Sequence, residues 1–171
     1  MNIIFLILLI CLPTTVSSKV LFDVSGLGTV YKASDGDTFW INLDKREVFD
    51  FLFEKSGDRN HFNQKYKSVH VRVGNIDTKE SNHFDKKRNS IEGKETSIYV
   101  KRLVENKRVY INCWDIGHYN RPICSVNVEG LGDVGVHLIE NGLSDYITGF
   151  GKSPSMHKEY TSASKIGKRL N

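Results

Sequence analysis

Five side chains in this sequence are of the types that handle phosphate and hard cations. Asp37 follows Gly36 at the mouth of an apolar run over 38–43, and Asp77 and Glu80 follow a second apolar run over 69–73 within a short loop. Carboxylates at strand ends are held rigidly yet stay near solvent. A hard cation such as Ca²⁺ takes several oxygen ligands, so two carboxylates, a backbone carbonyl and waters would serve it. Asp35-Gly36-Asp37 also reads as a plain turn, and Asp77-Thr78 as a turn capped by its own side chains. Arg72 lies on the polar face of the valine run, five residues before Asp77, and Arg121 directly precedes another strand-like run. A guanidinium donates in a planar fork that matches two phosphate oxygens, although each arginine alone is equally a solvated charge at a strand edge. Acids and arginines together point to metal-assisted phosphodiester chemistry, in which cations neutralise charge building on phosphorus.

These residues need a scaffold, and the hydrophobic pattern supplies one. Residues 27–32 and 38–43 read as strands joined by Ala33-Ser34-Asp35-Gly36-Asp37. Val69, Val71 and Val73 alternate with His70 and Arg72, a half-buried strand. Residues 74–91 read as polar loop with the basic run Lys86-Lys87-Arg88. From Gly93 the period becomes helical, with Thr96, Tyr99, Val100, Leu103 and Val104 on one face. Strands follow over 108–114 and 122–128, then a short helix capped by Asp133 and closed by Gly142, then a helix opened by Ser153-Pro154. This is an α+β pattern around a small curved or closed sheet.

The chain has 171 residues, one domain's worth, with 39% hydrophobic and 26% charged residues. Its net charge of +4 permits a polyanionic partner without demanding one. Residues 3–12 are all apolar, too few to span a membrane but fitting a secretory signal peptide cleaved after Ser18. An uncleaved signal anchor is the alternative. With residues 1–18 removed, Cys113 and Cys124 are the two cysteines left, sharing the apolar face of two successive strands. A disulfide and a pair of buried thiols fit that placement equally. The six histidines form no HExxH or close ligand pair, and no GxSxG, Walker A or GxGxxG occurs.

Thr29-Val30-Tyr31-Lys32-Ala33-Ser34-Asp35-Gly36-Asp37-Thr38 and Val71-Arg72-Val73-Gly74-Asn75-Ile76-Asp77-Thr78-Lys79-Glu80, read in order, resemble the staphylococcal nuclease (thermonuclease) family. Tyr119-Asn120-Arg121 and His137-Leu138-Ile139-Glu140-Asn141-Gly142-Leu143 continue the likeness, which covers roughly residues 28–170. The resemblance implies a five-stranded OB-type β-barrel with three α-helices and a secreted Ca²⁺-dependent nuclease cleaving DNA and RNA to leave 3′-phosphates. It makes Asp37, Asp77 and the Thr78 carbonyl the Ca²⁺ ligands and Glu80 the general base or water positioner. Arg72 and Arg121 become the phosphate grip, with Asp35 a nearby acid outside the direct ligands. Tyr119, Lys86 and Lys87 are the expected nucleic-acid contacts, and a monomer without a stable protein partner is the expected state.

The chain departs from the family pattern at several places. Lys79 stands where proline is usual, Gly117 where an acid often lies, and Thr148 and Phe150 where two nucleotide-contacting tyrosines are expected. Residues 44–68 are an insertion with no counterpart in the short family hairpin. Phe49, Phe51 and Phe53 share strand parity there, so the insertion reads as an extended hairpin packed on the barrel, dispensable for chemistry. The alternative to an enzyme is an OB module that binds nucleic acid without cutting it.

Overall fold

The structure, a computed structural model, describes residues 20–79 and 90–169. Strand β1 (Val24–Asp35) is long and bulged, with register shifts between Val30 and Lys32 and between Ala33 and Asp35. Bulges bend a strand, and here one half of β1 pairs with β2 (Thr38–Leu43) while the other pairs with β6 (Arg108–Ile116). Strand β4 (Ser68–Val73) adds antiparallel to β2, and β7 (Pro122–Val128) adds antiparallel to β6. A short parallel contact, Arg72 beside Ile123 and Val73 beside Cys124, joins β4 to β7. Five strands thereby close into a barrel, the OB-type α+β fold expected from the resemblance.

Alternation does the filling. Val69, Val71 and Val73 are buried while His70 and Arg72 remain partly exposed on the outer face of β4. Helix α2 (Ile91–Val104) begins at Ser90, whose hydroxyl accepts from the Gly93 N–H, and buries Val100 and Val104 against the barrel. Helix α3 (Val134–Glu140) is capped by Asp133, and Gly142 takes the left-handed φ of 67° just beyond its end. At Ser153-Pro154 the expected helix opens instead as a turn, with Ser153 Oγ accepting from Met156 N, and α4 (His157–Gly167) starts after it.

Among the described residues four helices are present rather than three, and the extra one corrects the reading of the insertion. Residues 46–56 form helix α1 (Arg46–Ser56), not an extended hairpin. Val48, Phe49 and Leu52 enter the core, and Phe53 stacks on Phe49 one turn away. A single 3₁₀ turn over 59–61 and the two-residue strand β3 (Phe62–Asn63) then lead back to β4. The supposed polar loop after β4 also holds a strand, β5 (Ile76–Thr78), paired with β9 (Ser144–Tyr146). A last short strand, β8 (Gly132–Asp133), borders β7. Cys113 and Cys124 face each other across β6 and β7 and are joined by a disulfide. Among the described residues no helix is long and apolar enough to cross a membrane.

Candidate active site

Two turns and a strand end meet at one end of the barrel. Gly36 sits so close to Thr78 that a Cβ there would lie 2.7 Å from Thr78 Oγ1, which is why this turn takes glycine. That contact seats the Asp35-Gly36-Asp37 turn directly on β5, which carries Asp77. Strand β5 is held in turn by Ser144, whose hydroxyl accepts from Asp77 N and donates to Asp77 O, both at 3.0 Å. The loop after β9 is tied to the start of β5, because the Asn75 side-chain amide donates to the carbonyls of Ile147 and Gly151. Phe150, on that loop, is 96% exposed.

Arg72 links the two acids. Its Nη2 lies 3.0 Å from Asp37 Oδ2 and 2.9 Å from Asp77 Oδ1. Asp37 is only 4% exposed, and burial, the largest influence, pushes its carboxyl above the usual range against the opposing pull of Arg72 and the Thr38 hydroxyl. Thr38 Oγ1 donates to Asp37 Oδ1 at 2.9 Å and accepts from Arg121 Nη1 at 3.3 Å. A continuous chain therefore runs Arg121–Thr38–Asp37–Arg72–Asp77. The Arg121 guanidinium lies 5.8 Å from the Tyr119 ring centre, and Tyr119 itself is exposed. Asp35 Oδ1 accepts from Gly36 N and adds negative charge near Asp37.

The structure thus brings Asp35, Asp37, Asp77, Thr78, Arg72, Arg121 and Tyr119 together at one end of the barrel. Glu80, Lys86 and Lys87 fall outside the described residues. At Gly117 a Cβ would meet the Ile123 side chain at 2.9 Å, so an acid would need that neighbour to shift.

The donor set suits a hard divalent cation. The Asp37 and Asp77 oxygens both touch one Arg72 nitrogen, so they are close enough together for an ion with oxygen bonds of about 2.3–2.6 Å to bridge after modest movement. A buried carboxylate above its usual pKa also gains most from a cation. Among the described residues no three histidine, cysteine or acidic side chains gather round a metal position.

The model of the family described as staphylococcal nuclease homologue matches residues 70–170. The chain belongs to the staphylococcal nuclease family. No curated protein matches the chain significantly. The matched span of this nuclease homologue holds Arg72, Asp77, Thr78, Tyr119 and Arg121 but stops short of Asp35 and Asp37. It is the barrel, through the Gly36–Thr78 contact and the Arg72 bridge, that brings Asp37 to the rest. As a nuclease-like domain it takes nucleic acid as its implied substrate.

The inserted residues supply contacts that the sequence reading did not assign. Ser56, at the end of α1, donates to the carbonyl of Asn120 at 2.6 Å. The insertion therefore braces the turn that presents Tyr119 and Arg121. No local motif marks this bracing, since the partners are 64 residues apart.

Proposed function

We propose that this protein is an exported Ca²⁺-dependent endonuclease that hydrolyses phosphodiester bonds of DNA and RNA. The observation that carries the reading is the single chain of contacts joining both arginines to both carboxylates. Asp37, Asp77 and the Thr78 carbonyl would hold the Ca²⁺. When bound, the ion supplies Lewis-acid polarisation of a phosphoryl oxygen. Arg72 holds Nη2 on both carboxylates and Nη1 within 3.4 Å of Asp37 Oδ1, and offers its remaining N–H groups to the scissile phosphate. Arg121, aimed by Thr38, supplies a second fork to the charge that develops in the transition state. Glu80, two residues beyond Thr78 in the chain, orients the attacking water and takes its proton. Departure of the 5′ oxygen leaves a 3′-phosphate. Residues 1–18 act as the export signal.

The test is incubation of the protein with single-stranded DNA and with RNA, in Ca²⁺ or in excess chelator, followed by end analysis of the fragments. Cleavage in Ca²⁺ alone with 3′-phosphate ends is expected. Cleavage that survives the chelator rejects the mechanism, and DNA retarded on a gel at unchanged length assigns the chain to non-catalytic binding modules.

A further inference from the structure

The insertion and the barrel wall bring two histidines together that lie nine residues apart in the chain. His61 ends the 3₁₀ turn and His70 lies mid-way along β4, and the pairing of Phe62 with Val69 sets them face to face. Their Nδ1 atoms are 3.3 Å apart. Each ring is oriented from its other side. His70 stacks on Trp40 at 4.5 Å with planes 8° apart, and its Nε2 lies 3.0 Å from Ser34 Oγ. His61 Nε2 faces Asp58 Oδ2 at 3.8 Å.

Proton placement decides what the pair is for. A hydrogen bond between the two Nδ1 atoms puts the His61 or His70 proton on the inner nitrogen of one ring, leaving that ring's outer nitrogen bare. On His61 a bare Nε2 would turn a lone pair toward the Asp58 carboxylate. On His70 it would leave Ser34 as donor and His61 as acceptor with its own Nε2 protonated. Protonating both outer nitrogens sets the His70 Nε2–H on Ser34 Oγ and turns the His61 Nε2–H toward the Asp58 carboxylate 3.8 Å away, and leaves two Nδ1 lone pairs converging. A tetrahedral ion with metal–nitrogen bonds of about 2.0–2.1 Å spans about 3.3–3.4 Å between two ligating nitrogens. Histidines that ligate a metal typically donate their other N–H to a carboxylate, carbonyl or hydroxyl of this kind.

We propose that His61 and His70 form a two-histidine site for a borderline-soft divalent ion such as Zn²⁺, bound through both Nδ1 atoms with solvent completing the tetrahedron. The site is separate from the hard-oxygen carboxylates and independent of the nuclease reading. Imidazole selects Zn²⁺ over Ca²⁺, which takes oxygen ligands. Arg121, His61 and Lys32 lie near the His70 ring. Arg121 and Lys32 also repel a cation, and the protein donates only two ligands, so affinity is micromolar rather than tight. The bound ion ties the insertion to β4 beside the turn that bears Arg121.

Calorimetric titration of the metal-free protein with Zn²⁺ in saturating Ca²⁺ tests this. One ion per chain is expected, with binding weakened at least tenfold in His61→Asn and in His70→Gln. At a hundredfold excess of Zn²⁺ over its Kd, the thermal midpoint rises by about 5–10 °C. ¹⁵N spectra of the imidazoles should move at Nδ1 of both rings. Since His70 is part of the barrel wall, His61→Asn on the insertion decides the matter if the other variant does not fold. Absence of saturable binding, binding unchanged in His61→Asn, or ligation through Nε2 overturns the proposal.

Discussion

The Ser56 hydroxyl holds the backbone carbonyl of Asn120 at 2.6 Å, so the end of an inserted helix fixes the residue directly before Arg121. A hydrogen bond of this kind is worth about 1 kcal/mol net. In Ser56→Ala the turn over 117–121 keeps its own backbone bonds, Gly117 N to Arg121 O and Asn120 N to Gly117 O, and the fold survives. Loss of the brace is expected to lower the cleavage rate about fivefold, measured on a fluorogenic oligonucleotide with urea midpoints as the folding control. An unchanged rate would show that the turn positions Arg121 unaided.

The two arginines should respond differently to removal. On the proposed mechanism Arg121→Gln removes a charge donor to the phosphate, and it is expected to cost on the order of 10²–10³ in rate with little change in stability. Arg72→Gln costs a similar factor and also leaves the buried Asp37 without its ion-pair partner. Breaking a buried pair on one side typically destabilises by about 3–5 kcal/mol, and Arg72 is partly exposed, so the lower end or less is expected. Chemical unfolding of both variants without Ca²⁺ separates the cases, and added Ca²⁺ should restore part of the stability lost in Arg72→Gln alone.

Gly36→Ala probes the seating of the Asp37 turn. The added methyl meets Thr78 Oγ1 at 2.7 Å and must push the turn away from β5. Activity is expected to fall at least tenfold and the Ca²⁺ requirement to rise, while the barrel stays folded. Double substitution with Thr78→Ser removes the Thr78 methyl but keeps the hydroxyl that clashes, whereas Thr78→Ala clears it and should recover part of the rate.

A buried cap gives a pH prediction. Asp133 caps α3 by accepting from Val136 N, yet burial outweighs this and raises its pKa. A carboxyl whose folded pKa is raised favours folding only while protonated, so its contribution falls as pH rises from the unfolded value through the folded one. Asp133→Asn keeps a side-chain oxygen for the cap without the charge. The variant is expected to equal or exceed the parent in stability at pH 7, with the difference shrinking as pH drops toward 4. Urea midpoints of the pair at several pH values check the slope, and a parent more stable at pH 7 would show that the helix N-terminus outweighs burial.

The sequence carried the barrel well where one periodicity stood alone. Val69, Val71 and Val73 can bury together only in a strand, and the outward Arg72 followed from the same alternation. Phe49, Phe51 and Phe53 misled because the spacing of four between Phe49 and Phe53 fits a strand and a helix alike, while Phe51 falls off the buried helical face. The distinguishing signal was Val48, Phe49 and Leu52, which share a helical face and are the residues the core takes. Of the site, the carboxylates and arginines were legible because each sits beside a turn or strand end with its own local pattern. Ser56, His61 and His70 were not, because their partners lie on other elements and only the folded insertion brings them near.

Barrel closure has a consequence in time as well as in space. The contact that shuts the barrel pairs Arg72 with Ile123, joining distant parts of the chain, and Arg72 and Arg121 sit on opposite sides of that join. Contacts between sequence-distant segments form only after their loop-closure entropy has been overcome, so they belong to the slow end of folding. A chain with its early hairpin made but this join still open holds its two guanidiniums apart. On the proposed function the site is therefore assembled only when this join is made, and a chain with the join still open is expected not to cut the nucleic acids around it.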